Sequence, residues 1–263
     1  MLQYIIIVLF ATMIGAFTGL GGGVIIKPFF DFVGQDGPNA ISFYSSTAVF
    51  TMSIISIYKQ SRKGFKFNVK RLLSISIGSI LGGFIGAKAF IQTTQYFTPQ
   101  KVTLIQSSLL TLTLALILLY TISKSKIPTF QIRNNIATFF IGFFLGSYSV
   151  FLGIGGGPLN VALLMLAYSL PIREAAIYSI ATIFFSQFSN IFTSIVSREY
   201  LNFRMDLIPF IIVAAIIGGY CGTLLNQRAK EKQIEIFYLL LMLALIGTSI
   251  INILVVLVHF KIQ

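Results

Sequence analysis

Two runs of glycine carry the chemistry that this sequence can offer. Gly19-Leu20-Gly21-Gly22-Gly23 and Gly153-Ile154-Gly155-Gly156-Gly157 both sit deep in apolar sequence. Each triple glycine disfavours a continuous helix by about 1 kcal/mol per residue relative to alanine, and glycine accepts the positive φ of a turn. Pro158 directly after the second run suits the first turn of a new helix, and Pro28 follows the first run five residues later. A helix restarted inside a membrane presents free N–H groups and partial positive charge, which attract anions. Hydroxyls and an amide lie close by: Ser42, Ser45, Ser46 and Thr47 in the first half, Asn160, Ser179 and Thr182 in the second. They can donate to an oxyanion, although Ser and Thr in apolar helices also bond backbone carbonyls. The candidate substrate-binding set is therefore Gly21, Gly22, Gly23 and Thr47 with Gly155, Gly156, Gly157, Asn160 and Thr182.

Other chemistries lack their parts. Six of the seven acidic residues (Asp36, Glu174, Glu199, Asp206, Glu231 and Glu235) fall at the ends of apolar segments or in loops. The seventh, Asp31, lies nearer the apolar sequence with Lys27 four residues before it, a spacing that pairs them on a helix. Lys27 is expected to pair or to snorkel to the interface rather than to bind a ligand, and Lys88 to snorkel. Cation carriers usually place a carboxylate or histidine at mid-membrane, and here none is evident. One histidine, His259, and one cysteine, Cys221, make neither a metal site nor a nucleophile–base pair. The glycine runs match neither the dinucleotide fingerprint nor the P-loop. The expectation is a protein that is not an enzyme, with no cofactor and no metal.

The elements that must position these residues follow from composition. Hydrophobic residues make up 56% of the 263 and charged residues 10%, with a mean hydropathy of +0.89. A soluble domain carries about 25% charged residues, and a soluble protein of this size could not hide so much apolar surface. Eight long apolar segments are read at 4–33, 39–58, 70–92, 101–122, 134–168, 173–197, 206–226 and 234–260. A span needs about 20 residues, so the first and fifth are long enough to be two half-helices each. Strands of a barrel would alternate in polarity over about ten residues, and that pattern is absent. The fold class is an all-α polytopic membrane protein. No cleavable signal peptide is evident at the start.

The halves repeat. Besides the glycine runs, residues 40–47 match 175–182, Phe65-Lys66-Phe67 matches Leu201-Asn202-Phe203, and Gly82-Gly83 matches Gly218-Gly219, with an offset that grows from 134 to 136. The segments thus form two four-segment repeats over 1–123 and 134–263, joined by a basic linker at 124–133. Glycine-broken spans at matching positions of two halves point to a secondary transporter. Gly78, Gly82 and Gly86 recur every fourth residue, as do Gly218 and Gly222, and these are read as helix packing. The net charge of +12 comes from short loops, not from a nucleic-acid module. Short-loop Lys and Arg mark the cytoplasmic side, which places loop 59–71 on the cytoplasmic face of the cell membrane, where such clusters also meet anionic lipid. An inverted arrangement divides Lys and Arg thirteen inside to six outside, and a parallel one twelve to seven. The inverted one is preferred, and it requires the glycine-broken segments to be re-entrant hairpins.

On these motifs the chain resembles the sulfite exporter TauE/SafE family of bacterial and archaeal permeases. The resemblance rests on the two glycine runs with Pro28, the Ala-Ser/Thr-rich stretches 40–47 and 175–182, and the Gly82-Gly83 and Gly218-Gly219 pairs, and it covers essentially the whole chain. It implies an inner-membrane transporter of small sulfur-containing or organic anions such as sulfite and sulfonates. The proline follows the second glycine run directly but the first only later, so the two half-sites are chemically unequal. The leading reading is a permease that moves a small anion by alternating access. An anion channel and a membrane scaffold or accessory subunit are the alternatives, and a homo-oligomer is compatible with any of them.

Overall fold

Both glycine runs end a helix and start another. In the computed structural model, which describes residues 1–33, 36–123, 128–154 and 157–262 but not the side chains of 258–262, α1 (Leu2–Thr18) ends at Gly19 with φ +83°. Gly21 and Gly22 follow with φ +80° and +78°, and α2 (Gly23–Val33) begins at once. α6 (Asn135–Leu152) ends in the same way at Gly153 with φ +67°, and α7 (Gly157–Tyr168) carries Pro158 in its first turn. All of these positive φ values fall in the left-handed region, where an L side chain is strained. The remaining long helices are α3 (Pro38–Arg62), α4 (Val69–Tyr96), α5 (Pro99–Ser123), α8 (Ile172–Val196), α9 (Ile208–Arg228) and α10 (Glu231–Ile262). Among the described residues there are no strands, and seven helices are long and apolar enough to cross a membrane, with Leu2–Thr18 and Gly157–Tyr168 shorter.

Each glycine-broken segment folds back on itself. Tyr4, near the start of α1, donates its hydroxyl to Asp36 beyond the end of α2 and packs on Phe30 with ring centroids 4.6 Å apart. In the second half the residues before α6 bond to the end of α7: Phe130 N–H donates to Leu166 at 2.8 Å and Ile132 N–H to Ala167 at 3.0 Å. Side-chain contacts then gather the remaining ends. Tyr4, Tyr44, Arg204, and Asn39 with Glu199 bring together the start of α1, the start of α3 and the link from α8 to α9. Burial pushes the Glu199 carboxyl above its usual range there. At a second cluster, Arg71 lies over Tyr168, Lys63 donates to the Gln227 carbonyl and Arg173 to the Ala229 carbonyl. These join the ends of α3, α7 and α9 to the starts of α4 and α8.

The two halves are interleaved and do not stand side by side. α1 packs along α9, and α6 along α4, with α3 against α8 between them. Glycines set the close approach, as expected of Gly78, Gly82 and Gly86. A Cβ on Gly78, Gly82 or Gly86 would collide with the carbonyl oxygen of Phe139, Phe143 or Ser147 on α6. A Cβ on Gly218 or Gly222 would meet Leu9, Thr12 or Met13 on α1. Membrane helices have no hydrophobic drive toward each other, so such backbone contact supplies much of the association. Gly82→Ala is therefore expected to cost roughly 1–3 kcal/mol by overpacking, seen as a lower unfolding temperature in detergent. Gly247→Ala, with nothing within 4 Å of the added carbon, should be silent. The outer surface is apolar: Leu73, Ile77, Leu81 and Ile85 form an exposed stripe on α4, and Leu240, Leu243, Ile251 and Leu254 are exposed on α10. Lys88 is exposed on α4.

Candidate functional site

The hairpin tips meet, and they meet reciprocally. A Cβ on Gly23, the first residue of α2, would collide with the Ile154 carbonyl of the other hairpin, and one on Gly157, the first residue of α7, would come 2.6 Å from the Leu20 carbonyl. Gly19 likewise lies against Ala176 on α8, and Gly153 against Ser42 on α3. Ser179 Oγ donates to the Gly19 carbonyl at 2.7 Å and so holds the first tip on α8. Gly21 fits under Ile183 and Val49. The carbonyl of Gly22 accepts from both Ile25 and Ile26 N–H at 2.9 Å. The N–H groups of Gly23 and Val24 therefore have no carbonyl within their own helix.

The sequence-selected residues divide. Gly21, Gly22, Gly23 and Gly157 stand at the crossing of the tips, whereas Gly155 and Gly156 lie outside the described residues. Asn160 is fully buried one turn into α7, and neither its Oδ1 nor its Nδ2 has a hydrogen-bond partner among the described residues. Thr47 and Thr182 are buried but occupied: the first hydroxyl donates to the Phe43 carbonyl and the second to the Tyr178 carbonyl, each at 2.9 Å on its own helix. They are also not equivalent across the repeat. Tyr44 accepts from Arg204 N–H and Tyr178 from Asn68 N–H, and Phe203 and Phe67 pack on those same tyrosines. That fixes an offset of 134 along the uninterrupted α3 and α8. Thr47 therefore corresponds to Ala181, and Thr182 to Ala48. The sequence match of 40–47 to 175–182 is one residue out of register, which on a helix is about 100° of rotation.

A polar cluster surrounds the second tip. Asn190 on α8 donates to Ser42 Oγ at 3.2 Å and to Ser46 Oγ at 2.5 Å on α3. Ser45 Oγ, on the same helix, is buried without a partner and lies 3.0 Å from where a Cβ on Gly23 would stand. Lys27 is 4% exposed; its Nζ lies 3.6 Å from Asp31 and has no other partner among the described residues. It pairs, and it does not snorkel. Lys27 Cδ is 3.5 Å from a Cβ placed on Gly153, so a cation and several hydroxyls share one neighbourhood with the glycine turn. Sequence reasoning passed over Asn190, although an amide inside a 25-residue apolar helix was itself a signal. Among the described residues no group of His, Cys, Asp and Glu could hold a metal.

The comparisons with known proteins agree with this architecture. Residues 4–249 match the family described as Sulfite exporter TauE/SafE. The chain is 26% identical to the probable membrane transporter protein YunE of Bacillus subtilis, over 94% of this chain and 96% of that one. It is also 26% identical to a probable membrane transporter protein of Methanocaldococcus jannaschii, over 85% of each. No solved structure matches it. With the match running from the first helix into the last, the chain belongs to the sulfite exporter TauE/SafE family of membrane transporters.

Proposed function

We propose that this protein is a secondary transporter in the cell membrane that moves a small anion, sulfite or a sulfonate by class, by alternating access. Its halves, 1–123 and 134–263 with the linker 124–133, act as an inverted repeat. α1–α2 and α6–α7 are re-entrant hairpins from opposite faces, and the Lys- and Arg-rich face with loop 59–71 is cytoplasmic. The return of each hairpin to its own starting end supports the inversion, and short-loop Lys and Arg support the orientation. The anion sits where the tips cross, among the N–H groups that start α2 and α7, and the halves rock about it.

Asn160 is the observation that carries this reading. A buried amide with both polar atoms unpaired costs on the order of 1–3 kcal/mol, and a carried anion would supply the missing acceptor for its N–H₂ group. Asn160→Leu is expected to cut anion flux into proteoliposomes about tenfold or more, the loss of 1.4 kcal/mol being tenfold. The same change should leave thermal stability equal or higher, because an unsatisfied polar group has gone. Wild-type protein should also be stabilised by the carried anion, tested with sulfite, methanesulfonate and acetate. Full flux of the variant for all three anions would overturn the site, and lowered stability with full flux would make Asn160 a packing residue.

A further inference from the structure

The charged pair in α2 has no counterpart in α7. With the offset of 134 that relates the hairpins, Lys27 corresponds to Val161, Asp31 to Met165 and Ser42 to Ala176. One side of the crossing thus holds a cation, a carboxylate and a hydroxyl where the other holds apolar groups. The pair is buried, with side chains 4% and 9% exposed. Burying an ion pair costs more than it returns unless hydrogen bonds complete it, and beyond Asp31 at 3.6 Å Lys27 Nζ has no partner among the described residues. Two hydroxyls nearby are poised to donate: Ser42 and Ser46 accept from Asn190 and so keep their own protons free.

We infer that Lys27 is the counter-charge for the carried anion and that Asp31 takes up the proton that accompanies it, making transport a proton–anion symport; this rests on the transporter reading above. The charge balance favours it, since helix N-termini supply only partial positive charge. At rest Lys27 ammonium and Asp31 carboxylate sum to zero. A monovalent anion arriving at Lys27 would leave one uncompensated negative charge in a low-dielectric site, which is expensive. A proton from the aqueous phase binding the Asp31 carboxylate restores neutrality and frees Lys27 from its internal partner. On release the anion leaves Lys27, the proton leaves Asp31 on the same side, and the pair re-forms. Lys27 is the charged group that acts on Asp31 among the described residues. The buried tyrosines on the neighbouring helices are engaged elsewhere. Tyr4 of α1 donates to Asp36, Tyr44 of α3 accepts from Arg204 N–H, and Tyr238 of α10 donates to the Pro158 carbonyl.

The test uses the full chain in proteoliposomes with labelled sulfite and labelled methanesulfonate, and a pH dye in the lumen. In the wild type an acidic outer medium should raise the uptake rate severalfold, and methanesulfonate entry should acidify the lumen. Asp31→Asn, neutral throughout and prepared with the anion present as counter-charge to Lys27, should lose both responses yet still exchange labelled for unlabelled anion across the membrane, which also shows that it is folded. Gradient-driven uptake by Asp31→Asn, or wild-type methanesulfonate entry without lumen acidification, would overturn the symport while leaving the transporter reading intact. Absence of flux for both anions in the wild type would overturn the transporter reading for that class, and the symport with it.

Discussion

Gly23→Ala should abolish transport and lower the unfolding temperature by several degrees. The added carbon would collide with the Ile154 carbonyl and come 3.0 Å from Ser45 Oγ. A side chain could swing aside, but the obstacle is backbone at the tip of the other hairpin. The first helix cannot retreat either, because Gly22 lies against the Ala11 carbonyl on its other side. Overpacking of this kind costs roughly 1–3 kcal/mol. At about 2–4 °C per kcal/mol for a chain of this size, the shift is measurable by detergent melting. Gly157→Ala, aimed at the Leu20 carbonyl, should act in the same direction. Gly37→Ala is the control, since nothing lies within 4 Å of its added carbon. Wild-type flux and melting in Gly23→Ala would mean that the tips do not cross as closely as the structure has them.

The second large effect belongs to Lys27. Lys27→Met leaves Asp31 as a buried carboxylate with no cation beside it, and breaking a buried pair from one side costs about 3–5 kcal/mol. The double change Lys27→Met with Asp31→Leu removes both charges, and replacing a buried pair by apolar groups is often neutral or stabilising. The expected pattern is a poorly folding single variant and a double variant that melts at or above the wild-type temperature yet carries no anion. Melting curves and flux measured on the same preparations separate the two properties. A single variant as stable as the wild type would show that the pair contributes nothing to folding.

Much of this architecture was legible in the sequence because membranes impose simple rules. Apolar length gave the helices, since backbone in lipid must bond within its own segment. Triple glycine gave the breaks, and the recurrence of Gly82 and Gly218 with their neighbours gave the close helix contacts that the structure contains. The site was less legible for two reasons. Thr47 and Thr182 were matched by residue type, but helix register is decided by contacts such as Tyr44 with Arg204 and Tyr178 with Asn68, which join residues more than 100 apart. Lys27 was weighed only against its own helix, as a partner of Asp31 or a snorkelling chain. Its burial follows from a second hairpin, 126 residues further along, that brings Gly153 against its stem. No local pattern announces a neighbour supplied by the other half of the chain.

The interleaving of the halves sets a problem in biogenesis. α1 (Leu2–Thr18) has its main partner in α9 (Ile208–Arg228), which leaves the ribosome roughly 200 residues later. At about 5–20 residues per second, the first hairpin waits on the order of 10–40 s before that partner is made. During that interval the face of α1 at Leu9, Thr12 and Met13, which Gly218 and Gly222 later cover, has no partner from α9. The covering of that face is therefore timed by the completion of the second half.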